Sequence, residues 1–293
     1  MRKTEEQVFL ENYDINKYER PSVATDIAVF TIMKDDENKD NYRKLPTNKL
    51  KILLIKRALE PFKDKWALPG GFLRKDETVY DSARRELKEE TGTDNAFLEM
   101  CYVFSEQNRD PRGWIISQAF MALINGEECN PNPGGDAKEA KWFDVELKKI
   151  NEEKVKEEEK EILSITYELV LTNDIKLSAL IEERKYYNNY HEMIEYKIKK
   201  SEGLAFDHGK IITCILNRLR RKIEIDSRIV FDLMQEEFTL TDLQSTFETI
   251  LDKELIKPNF RRKISEYVIE TDKTVLNGGH RPSKLFKRNM NIF

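Results

Sequence analysis

The chain has 293 residues, of which 39% are hydrophobic and 35% are charged, and its formal net charge is -4. These values are typical of a globular protein with a heavily solvated surface, and the length favours two domains over one. No apolar run approaches the roughly 20 residues that a membrane-spanning helix needs, and the first residues lead into no apolar signal core. We therefore exclude a membrane protein and expect a cytoplasmic one.

The first half of the chain predicts a mixed α+β domain. Runs rich in Val, Ile, Leu and Phe predict five strands, at Val23–Ile32, Leu50–Arg57, Phe97–Phe104, Ile115–Leu123 and Lys141–Val145. The polar segment Lys34–Lys49 predicts a mobile loop between the first two strands. One amphipathic helix is predicted at Val79–Thr91, between the second and third strands.

The segment from Gly71 to Gly92 carries the strongest pattern in the sequence. Glu77 follows Gly71 after five intervening residues, and after seven more comes the run Arg85-Glu86-Leu87-Lys88-Glu89-Glu90-Thr91-Gly92. Thr78 and Asp81 predict the start of a capped helix, and Gly92 predicts its left-handed end.

Three carboxylates converge on one face of this helix. Glu89 and Glu90 lie three and four residues after Glu86, so their side chains are neighbours on the helix surface. A hard divalent cation would relieve their repulsion, and Mg²⁺ is the usual choice because it also binds substrate phosphates. The alternative is a surface glutamate cluster on an ordinary helix.

This spacing is the Nudix box, and the chain resembles the Nudix hydrolases. The resemblance implies an α/β/α sandwich with a mixed sheet, and hydrolysis of a pyrophosphate bond with Mg²⁺, which Mn²⁺ can replace. It implies that the metal is held by Glu86, Glu89, Glu90 and the backbone carbonyl of Gly70. It also implies that Arg85 pairs with Glu77 and locks the preceding loop onto the helix. The general base stays open between Glu89 and the later acids Glu127, Glu128, Asp136 and Glu139.

Two further segments are candidates for binding the ligand. Gly71 and Phe72 follow Gly70 at a point where the backbone must approach metal and phosphate closely, which suits glycine. Arg109 and Arg112 lie between two predicted strands. They are typical either of a tight polar turn or of bidentate phosphate recognition.

The middle of the chain is harder to interpret. The Lys/Glu-rich run Glu146–Glu161 predicts a solvated helix or loop, and Thr166–Lys200 is compatible with an extra antiparallel hairpin. After the potential cap Asp207, apolar residues recur with helical spacing as far as Ile223. We expect the first domain to span residues 1–223, with an insertion at about 146–203 and a closing helix at about 207–223.

Residues 224–293 predict a winged helix-turn-helix. A first short helix around Ile229–Met234, a second helix capped by Thr239 and Asp242, and a third at Pro258–Val268 precede a hairpin with its turn at Asn277–Gly279. In the third helix, Phe260, Ile264 and Tyr267 are expected to face inward. Nine Lys or Arg and three Asp or Glu lie in residues 257–293, which favours a nucleic-acid contact. The predicted DNA contacts are Asn259, Arg261, Arg262 and Lys263 in the third helix, and Arg281 and Lys284 in the wing.

The whole chain resembles the Nudix-related transcriptional regulators often called NrtR. The resemblance rests on the Nudix box together with Phe206-Asp207-His208, Phe238-Thr239-Leu240-Thr241-Asp242-Leu243-Gln244 and Asn259-Phe260-Arg261-Arg262-Lys263. It implies a homodimeric regulator, without membrane contact, whose Nudix domain senses ADP-ribose or a related nucleotide while the winged helix binds operator DNA. The intact box implies that hydrolysis is retained. The alternative is a metabolic ADP-ribose pyrophosphatase whose C-terminal domain serves oligomerisation only.

Overall fold

The structure is a computed structural model that describes residues 3–34, 48–93, 96–126, 129, 131–134, 137–157, 160–187, 192–276 and 282–292. The helices are α1 (Glu5–Asn12), α2 (Val79–Thr91), α3 (His208–Ile225), α4 (Leu240–Leu251) and α5 (Lys257–Ile264). The strands up to the start of α3 are β1 (Ser22–Lys34), β2 (Asn48–Arg57), β3 (Trp66–Ala67), β4 (Gly70–Phe72), β5 (Phe97–Phe104), β6 (Ile115–Leu123), β7 (Ala137–Glu157), β8 (Lys160–Thr172), β9 (Lys176–Tyr187) and β10 (Glu192–Glu202). The later strands are β11 (Glu237–Phe238), β12 (Val268–Val275) and β13 (Ser283–Arg288).

In the described part of the chain, ten strands form one mixed sheet. Its main path runs β10-β9-β8-β7-β2-β1-β6-β5, with β3 paired to β2 and β4 paired to β1. Strands β1 and β6 are parallel and the other pairs are antiparallel. Helices α2 and α3 belong to two separate apolar clusters of this sheet. The predicted α+β class and the mixed sheet are therefore confirmed.

The predicted strands and the predicted helix before residue 124 are present. Helix α2 and strands β5 and β6 have the predicted bounds, while β1 and β2 extend slightly beyond theirs. Most of the segment predicted to be a loop, residues 35–47, lies outside the described residues.

The prediction of a solvated helix or loop at Glu146–Glu161 is wrong. This segment forms most of β7 and the start of β8, which pair in antiparallel register. Val145 packs against the core and Leu147 is buried, so apolar residues alternate with charged ones where the segment begins, whereas residues 148–154 are exposed. The many charged residues obscured this two-residue period, which is typical of a strand with one buried face.

The segment Thr166–Lys200 also contains more structure than one hairpin. Strands β8, β9 and β10 continue the sheet as an antiparallel meander. Tyr196 and Ile181 lie in the apolar cluster that contains α3. The inserted strands therefore help to build the core around α3.

The last 70 residues form a winged-helix arrangement, with α4 and α5 beside the three-stranded sheet β11-β13-β12. The first predicted helix is a 3₁₀ helix, Ser227–Leu233, and α5 ends at Ile264, so Tyr267 lies beyond the helix and is half-buried. The predicted turn at 277–279 is outside the described residues. No helix in the described segments is long and apolar enough to cross a membrane.

One apolar core continues from the large sheet through α3 into the winged helix. It includes Ile52 of β2, Leu219 and Ile223 of α3, and Phe247 of α4. Arg220 of α3 adds two polar ties, donating hydrogen bonds to the carbonyl of Leu147 (3.1 Å) and to that of Ile250 (2.9 Å). The structural elements on the two sides of residue 223 are therefore packed together.

A prediction about stability follows from two threonines in equivalent cap positions. In α4, Thr239 Oγ1 accepts a hydrogen bond from Asp242 N (3.1 Å), and α4 is part of the core. In α1, Thr4 Oγ1 accepts one from Gln7 N (3.2 Å), but this helix, all of which is described, buries none of its residues. Thr239→Ala should lower the free energy of unfolding in urea by about 1 kcal/mol, whereas Thr4→Ala should leave it unchanged. Equal losses in the two variants would contradict this.

Candidate functional site

Helix α2 presents two buried glutamates to a cavity. Ala83 and Leu87 pack into the apolar cluster beneath the helix, which leaves Glu86 and Glu90 on the face that lines the cavity. Glu86 is 9% exposed and Glu90 is 5% exposed. The helix begins with the expected capping box and ends at Gly92 with φ 74°.

The two glycines before the helix lie in close contacts. A Cβ atom on Gly70 would lie 2.1 Å from the backbone oxygen of Thr25, so only glycine lets β4 approach β1 this closely. A Cβ atom on Gly71 would lie 2.1 Å from Glu86 Oε1 and would force the Glu86 carboxylate to shift. Phe72 follows them and also lines the cavity.

Arg85 ties the loop before α2 to the helix. Its Nε lies 2.6 Å from Glu77 Oε1 and its Nη2 lies 3.0 Å from Glu77 Oε2. This charge-assisted pair holds the pKa of Glu77 down to about 2. The backbone N–H of Arg74 donates to the same carboxylate, which fixes the turn.

Burial makes the charged forms of Glu86 and Glu90 unfavourable. Burial raises the pKa of Glu90 to about 7, and the neighbouring Glu86 and Glu89 add to this shift. Burial also raises the pKa of Glu86, although Arg85 works against it. Such a group of buried oxygen donors fits a hard divalent cation, which would favour their charged forms.

The side chains of Glu86, Glu89 and Glu90 do not form a ready-made set of metal ligands. In the part of the chain that the structure describes, no three His, Cys, Asp or Glu side chains are close enough to hold one metal ion. Arg85 Nη1 forms an ion pair with Glu86 and lies 3.7 Å from Glu89 Oε1. Chelation by all three glutamates would therefore require the side chains of Glu86 and Glu89 to move away from Arg85.

The cavity has a volume of about 400 Å³, and among the described residues that line it carboxylates and arginines are equal in number. These carboxylates are Asp26, Glu86, Glu89, Glu90 and Asp110. Its arginines are Arg57, Arg74, Arg85, Arg109 and Arg112. Several of these groups form ion pairs with one another, so a highly charged anion would gain little from the arginines alone.

Arg109, a candidate for binding phosphate, is already engaged. Its Nη2 and Nε lie 2.7 and 3.0 Å from the two carboxylate oxygens of Asp207, and its Nη2 lies 3.6 Å from Asp26 Oδ2. Asp207 was expected to cap α3, but no side-chain cap is formed because its carboxylate binds Arg109. This buried, bidentate pair fixes the start of α3 to the loop between β5 and β6.

Arg112 lies between aromatic rings of the cavity. Its guanidinium carbon is 5.0 Å from the centre of the Phe72 ring and 5.2 Å from that of Phe206, and it also binds Asp110. The sequence left Arg109 and Arg112 open between a polar turn and phosphate recognition. The structure supports the polar turn, and Arg112 in this turn still lines the cavity.

The cavity also contains residues that the sequence did not single out as ligand contacts. They include Asp26 from β1, Arg57 from β2 and Phe206 just before α3, and His208 at the start of α3 lines the cavity as well. His208 Nδ1 accepts a hydrogen bond from the backbone N–H of Leu68 (2.7 Å), and burial lowers the pKa of the imidazole. The only signal for this region was the segment Phe206–His208, which contributed to the family resemblance.

The later acids proposed as general bases are only partly described. Glu127, Glu128 and Asp136 lie outside the described residues. Glu139 Oε1 lies 2.8 Å from Lys56 Nζ, and it is absent from the described lining of the cavity. Glu89 does line the cavity.

The predicted DNA-binding helix is α5. Asn259, Arg261, Arg262 and Lys263 are exposed, while Phe260 and Ile264 are buried. Lys284 of β13 is exposed and forms an ion pair with Glu270 of β12. Arg281 lies outside the described residues. The structure therefore offers one cationic helix face next to a wing.

Comparisons with known proteins identify the two halves of the chain. The NUDIX domain model matches residues 31–164, and the model of the NrtR DNA-binding winged helix domain matches residues 230–287. The "ADP-ribose pyrophosphatase" of Methanocaldococcus jannaschii is 42% identical over 135 residues, which are 45% of this chain and 69% of that protein. The chain belongs to the Nudix family.

This Nudix protein also has a relative that matches over nearly its whole length. The "ADPR responsive transcriptional repressor NtrR" of Acinetobacter baylyi is 29% identical over 286 residues, covering 96% of this chain and 88% of the repressor. A crystal structure of a MutT/nudix family protein from Enterococcus faecalis is similar with a TM-score of 0.67 and 27% identity, covering 97% of this chain and 93% of that one. The expected resemblance to Nudix proteins with an NrtR winged helix is confirmed.

Proposed function

We propose that this protein is a transcriptional regulator whose Nudix domain binds ADP-ribose and whose winged helix binds operator DNA under the control of that ligand. The proposal rests on the position of α3, which connects the cavity to the winged helix. His208 at its start lines the cavity, and Ile223 near its end lies in the core shared with the winged helix. The combination of domain models and the full-length similarity to a repressor described as responsive to ADPR support the same function.

We further propose that the protein hydrolyses its ligand with a divalent cation, as Nudix hydrolases generally do. Mg²⁺, or Mn²⁺ in its place, would be held by Glu86, Glu89, Glu90 and the carbonyl of Gly70. Bound there, it would polarise the pyrophosphate and lower the pKa of a water molecule. Arg85 and Glu77 would hold the loop against α2, while Gly71, Phe72, Arg109 and Arg112 would shape the ligand-binding surface.

The remaining parts of the proposal concern DNA and assembly. Asn259, Arg261 and Arg262 would reach base edges in the major groove, Lys263 and Lys284 would contact phosphates, and Arg281 would contact the adjacent backbone or minor groove. Because one such helix contacts only a few bases, we propose that the protein binds as a homodimer to a DNA site with approximate two-fold symmetry. We also propose a cytoplasmic location. We also propose that residues 1–223 form the ligand-binding part and residues 224–293 the DNA-binding part, although the apolar core is continuous across residue 223.

The test is binding of the purified protein to its own upstream DNA, with and without ADP-ribose. We expect sequence-dependent binding that ADP-ribose weakens by roughly tenfold, a usual coupling between two sites. Because such coupling is reciprocal, the DNA should weaken ADP-ribose binding by the same factor. Ribose 5-phosphate serves as the control ligand, and the recovered ADP-ribose is checked for hydrolysis.

Two outcomes would contradict the proposal. Weak binding to all DNA sequences would favour a metabolic pyrophosphatase whose C-terminal domain serves oligomerisation. Sequence-dependent binding that ADP-ribose leaves unchanged would show that the cavity does not control the winged helix.

A further inference from the structure

Two hydroxyl groups are buried between β1 and α2. Thr25 on β1 and Ser82 on α2 are both 0% exposed, and their side-chain oxygen atoms lie 3.2 Å apart. Threonine and serine are mostly found at protein surfaces, and burial of a hydroxyl costs free energy unless it is hydrogen-bonded. Neither residue is among the described residues that line the cavity, so any role in the site must act through their neighbours.

The two hydroxyls belong to a chain of hydrogen bonds that joins α2 to β4. Arg85 Nη2 lies 3.4 Å from Ser82 Oγ, and Thr25 Oγ1 lies 3.4 Å from the carbonyl oxygen of Gly71. A guanidinium can only donate and a carbonyl can only accept, so each hydroxyl accepts one bond and donates the next. The two outer distances are long for hydrogen bonds, so the chain tolerates little further separation of α2 and β4.

This chain spans the two halves of the proposed metal site. One half is the carbonyl of Gly70, and the next residue, Gly71, pairs with Thr25 in the register of β1 and β4. The other half is the glutamates of α2. Ser82 lies one helical turn before Glu86, on the same face of the helix. The contact between the two hydroxyls therefore sets how this face of α2 is placed relative to β4.

The spacing of these two halves matters because Mg²⁺ requires a precise geometry. It takes near-octahedral oxygen ligands at about 2.0–2.1 Å, so a small shift between β4 and α2 weakens binding. The carboxylates do not fix this spacing themselves, because Glu86 and Glu89 must move away from Arg85 to chelate an ion. Arg85 would then keep Glu77 and Ser82 as partners.

We propose that Thr25 and Ser82 are positioning residues whose hydroxyl contact holds β4 and α2 at the spacing that binding of a divalent cation needs. This rests on the proposed function, since it assumes that the cation binds between the glutamates of α2 and the carbonyl of Gly70. The two residues touch neither the cation nor the nucleotide. Loss of a group that orients a metal ligand lowers metal affinity by roughly 10- to 100-fold.

The test removes each hydroxyl with little change in the shape of the side chain. Valine has nearly the shape of threonine, so Thr25→Val breaks the chain of hydrogen bonds, whereas Thr25→Ser keeps the hydroxyl. Ser82→Ala removes the second hydroxyl, and alanine is favourable in a helix. This variant therefore decides the question if Thr25→Val is unstable.

Thr31→Val is the matched control. Thr31 lies on the same face of β1 as Thr25 and is also 0% exposed, but its hydroxyl has no hydrogen-bond partner within the described residues. This variant removes a buried threonine hydroxyl from the same strand and leaves the chain of hydrogen bonds intact. Circular dichroism and thermal melting confirm that each variant is folded.

The probe is Mn²⁺, whose binding to the nucleotide-free protein is followed by the electron paramagnetic resonance signal of the free ion. Thr25→Val and Ser82→Ala should each weaken Mn²⁺ binding roughly tenfold, whereas Thr25→Ser and Thr31→Val should bind it like the wild type. The Mg²⁺ concentration that gives half the maximal release of AMP from ADP-ribose should rise by the same factor. Affinity for ADP-ribose without a metal ion should not change.

The outcomes separate this proposal from the proposed function. If the wild-type protein binds no Mn²⁺, the proposed hydrolysis with a divalent cation fails. If the wild type binds Mn²⁺ and a folded Thr25→Val or Ser82→Ala binds it equally well, only the positioning role is overturned. The same holds if Thr31→Val weakens Mn²⁺ binding to the same extent, because any disturbance of β1 would then be sufficient.

Discussion

Glu90→Gln should remove most of the Mg²⁺-dependent release of AMP from ADP-ribose. Loss of a group that merely orients a metal ligand costs up to roughly a hundredfold, so loss of a direct ligand should cost at least that. Glutamine has nearly the same shape, and the contact of Glu90 with the backbone N–H of Gly134 (3.4 Å) can be kept. Turnover by purified protein at saturating Mg²⁺ is the measurement.

The fold and the DNA-binding half should survive this change. The pKa of Glu90 is raised to about 7 by burial and by Glu86 and Glu89, so removing its charge relieves repulsion in the metal-free protein. The variant should therefore unfold no more easily than the wild type and should still bind operator DNA. Glu153→Gln, an exposed change on β7, is the control.

Three results would change the interpretation. Full activity of Glu90→Gln would exclude Glu90 as a metal ligand. A wild-type protein that hydrolyses no nucleoside diphosphate derivative would be a sensor without catalysis. Loss of DNA binding in ligand-free Glu90→Gln would show that the winged helix depends on the charge of this site.

Replacing Arg261 and Arg262 together by alanine should weaken operator binding by roughly a hundredfold. Each bidentate contact of an arginine with a base contributes about 1–3 kcal/mol of discrimination, and both residues are exposed on α5. Binding to random duplex should fall much less, because that affinity comes mainly from phosphate contacts. Affinities are compared on both duplexes over a range of salt concentrations.

Lys284→Ala is the matched control, since Lys284 is a cation on the neighbouring wing. If it contacts phosphate only, its loss should weaken both duplexes alike and reduce the salt slope by about one unit. Its ion pair with Glu270 must open for this contact. Equal losses on operator and random DNA in the arginine variant would mean that α5 does not read sequence, and would favour the oligomerisation role.

Features encoded by neighbouring residues were predictable from the sequence. Helix α2 has the predicted bounds because its capping box, its apolar stripe and the left-handed Gly92 all act within a few residues. The predicted cap of α4 at Thr239 and Asp242 is also present. The three glutamates, Arg85 and Glu77 are also close in sequence, so their grouping could be inferred.

Features that depend on distant partners were not predictable. Strand β7 looks solvated by composition, but its Leu147 is buried in the same apolar cluster as α3, and Arg220 of α3 binds the Leu147 carbonyl. Asp207 looks like a helix cap, but its partner Arg109 lies 98 residues away. The environment of Phe206 depends on Arg57, at the end of β2, and on Arg112, in the loop between β5 and β6.

The continuous core has a consequence for how the protein folds. Ile223 of α3, Val230 of the 3₁₀ helix and Phe247 of α4 are almost completely buried in one cluster with the large sheet. Cutting the chain near residue 223 would expose apolar surface on both fragments, so neither would retain the stability it has in the intact protein. The two halves should unfold as one cooperative unit. A ligand that binds only the folded state then protects the winged helix from unfolding even though it touches none of its residues.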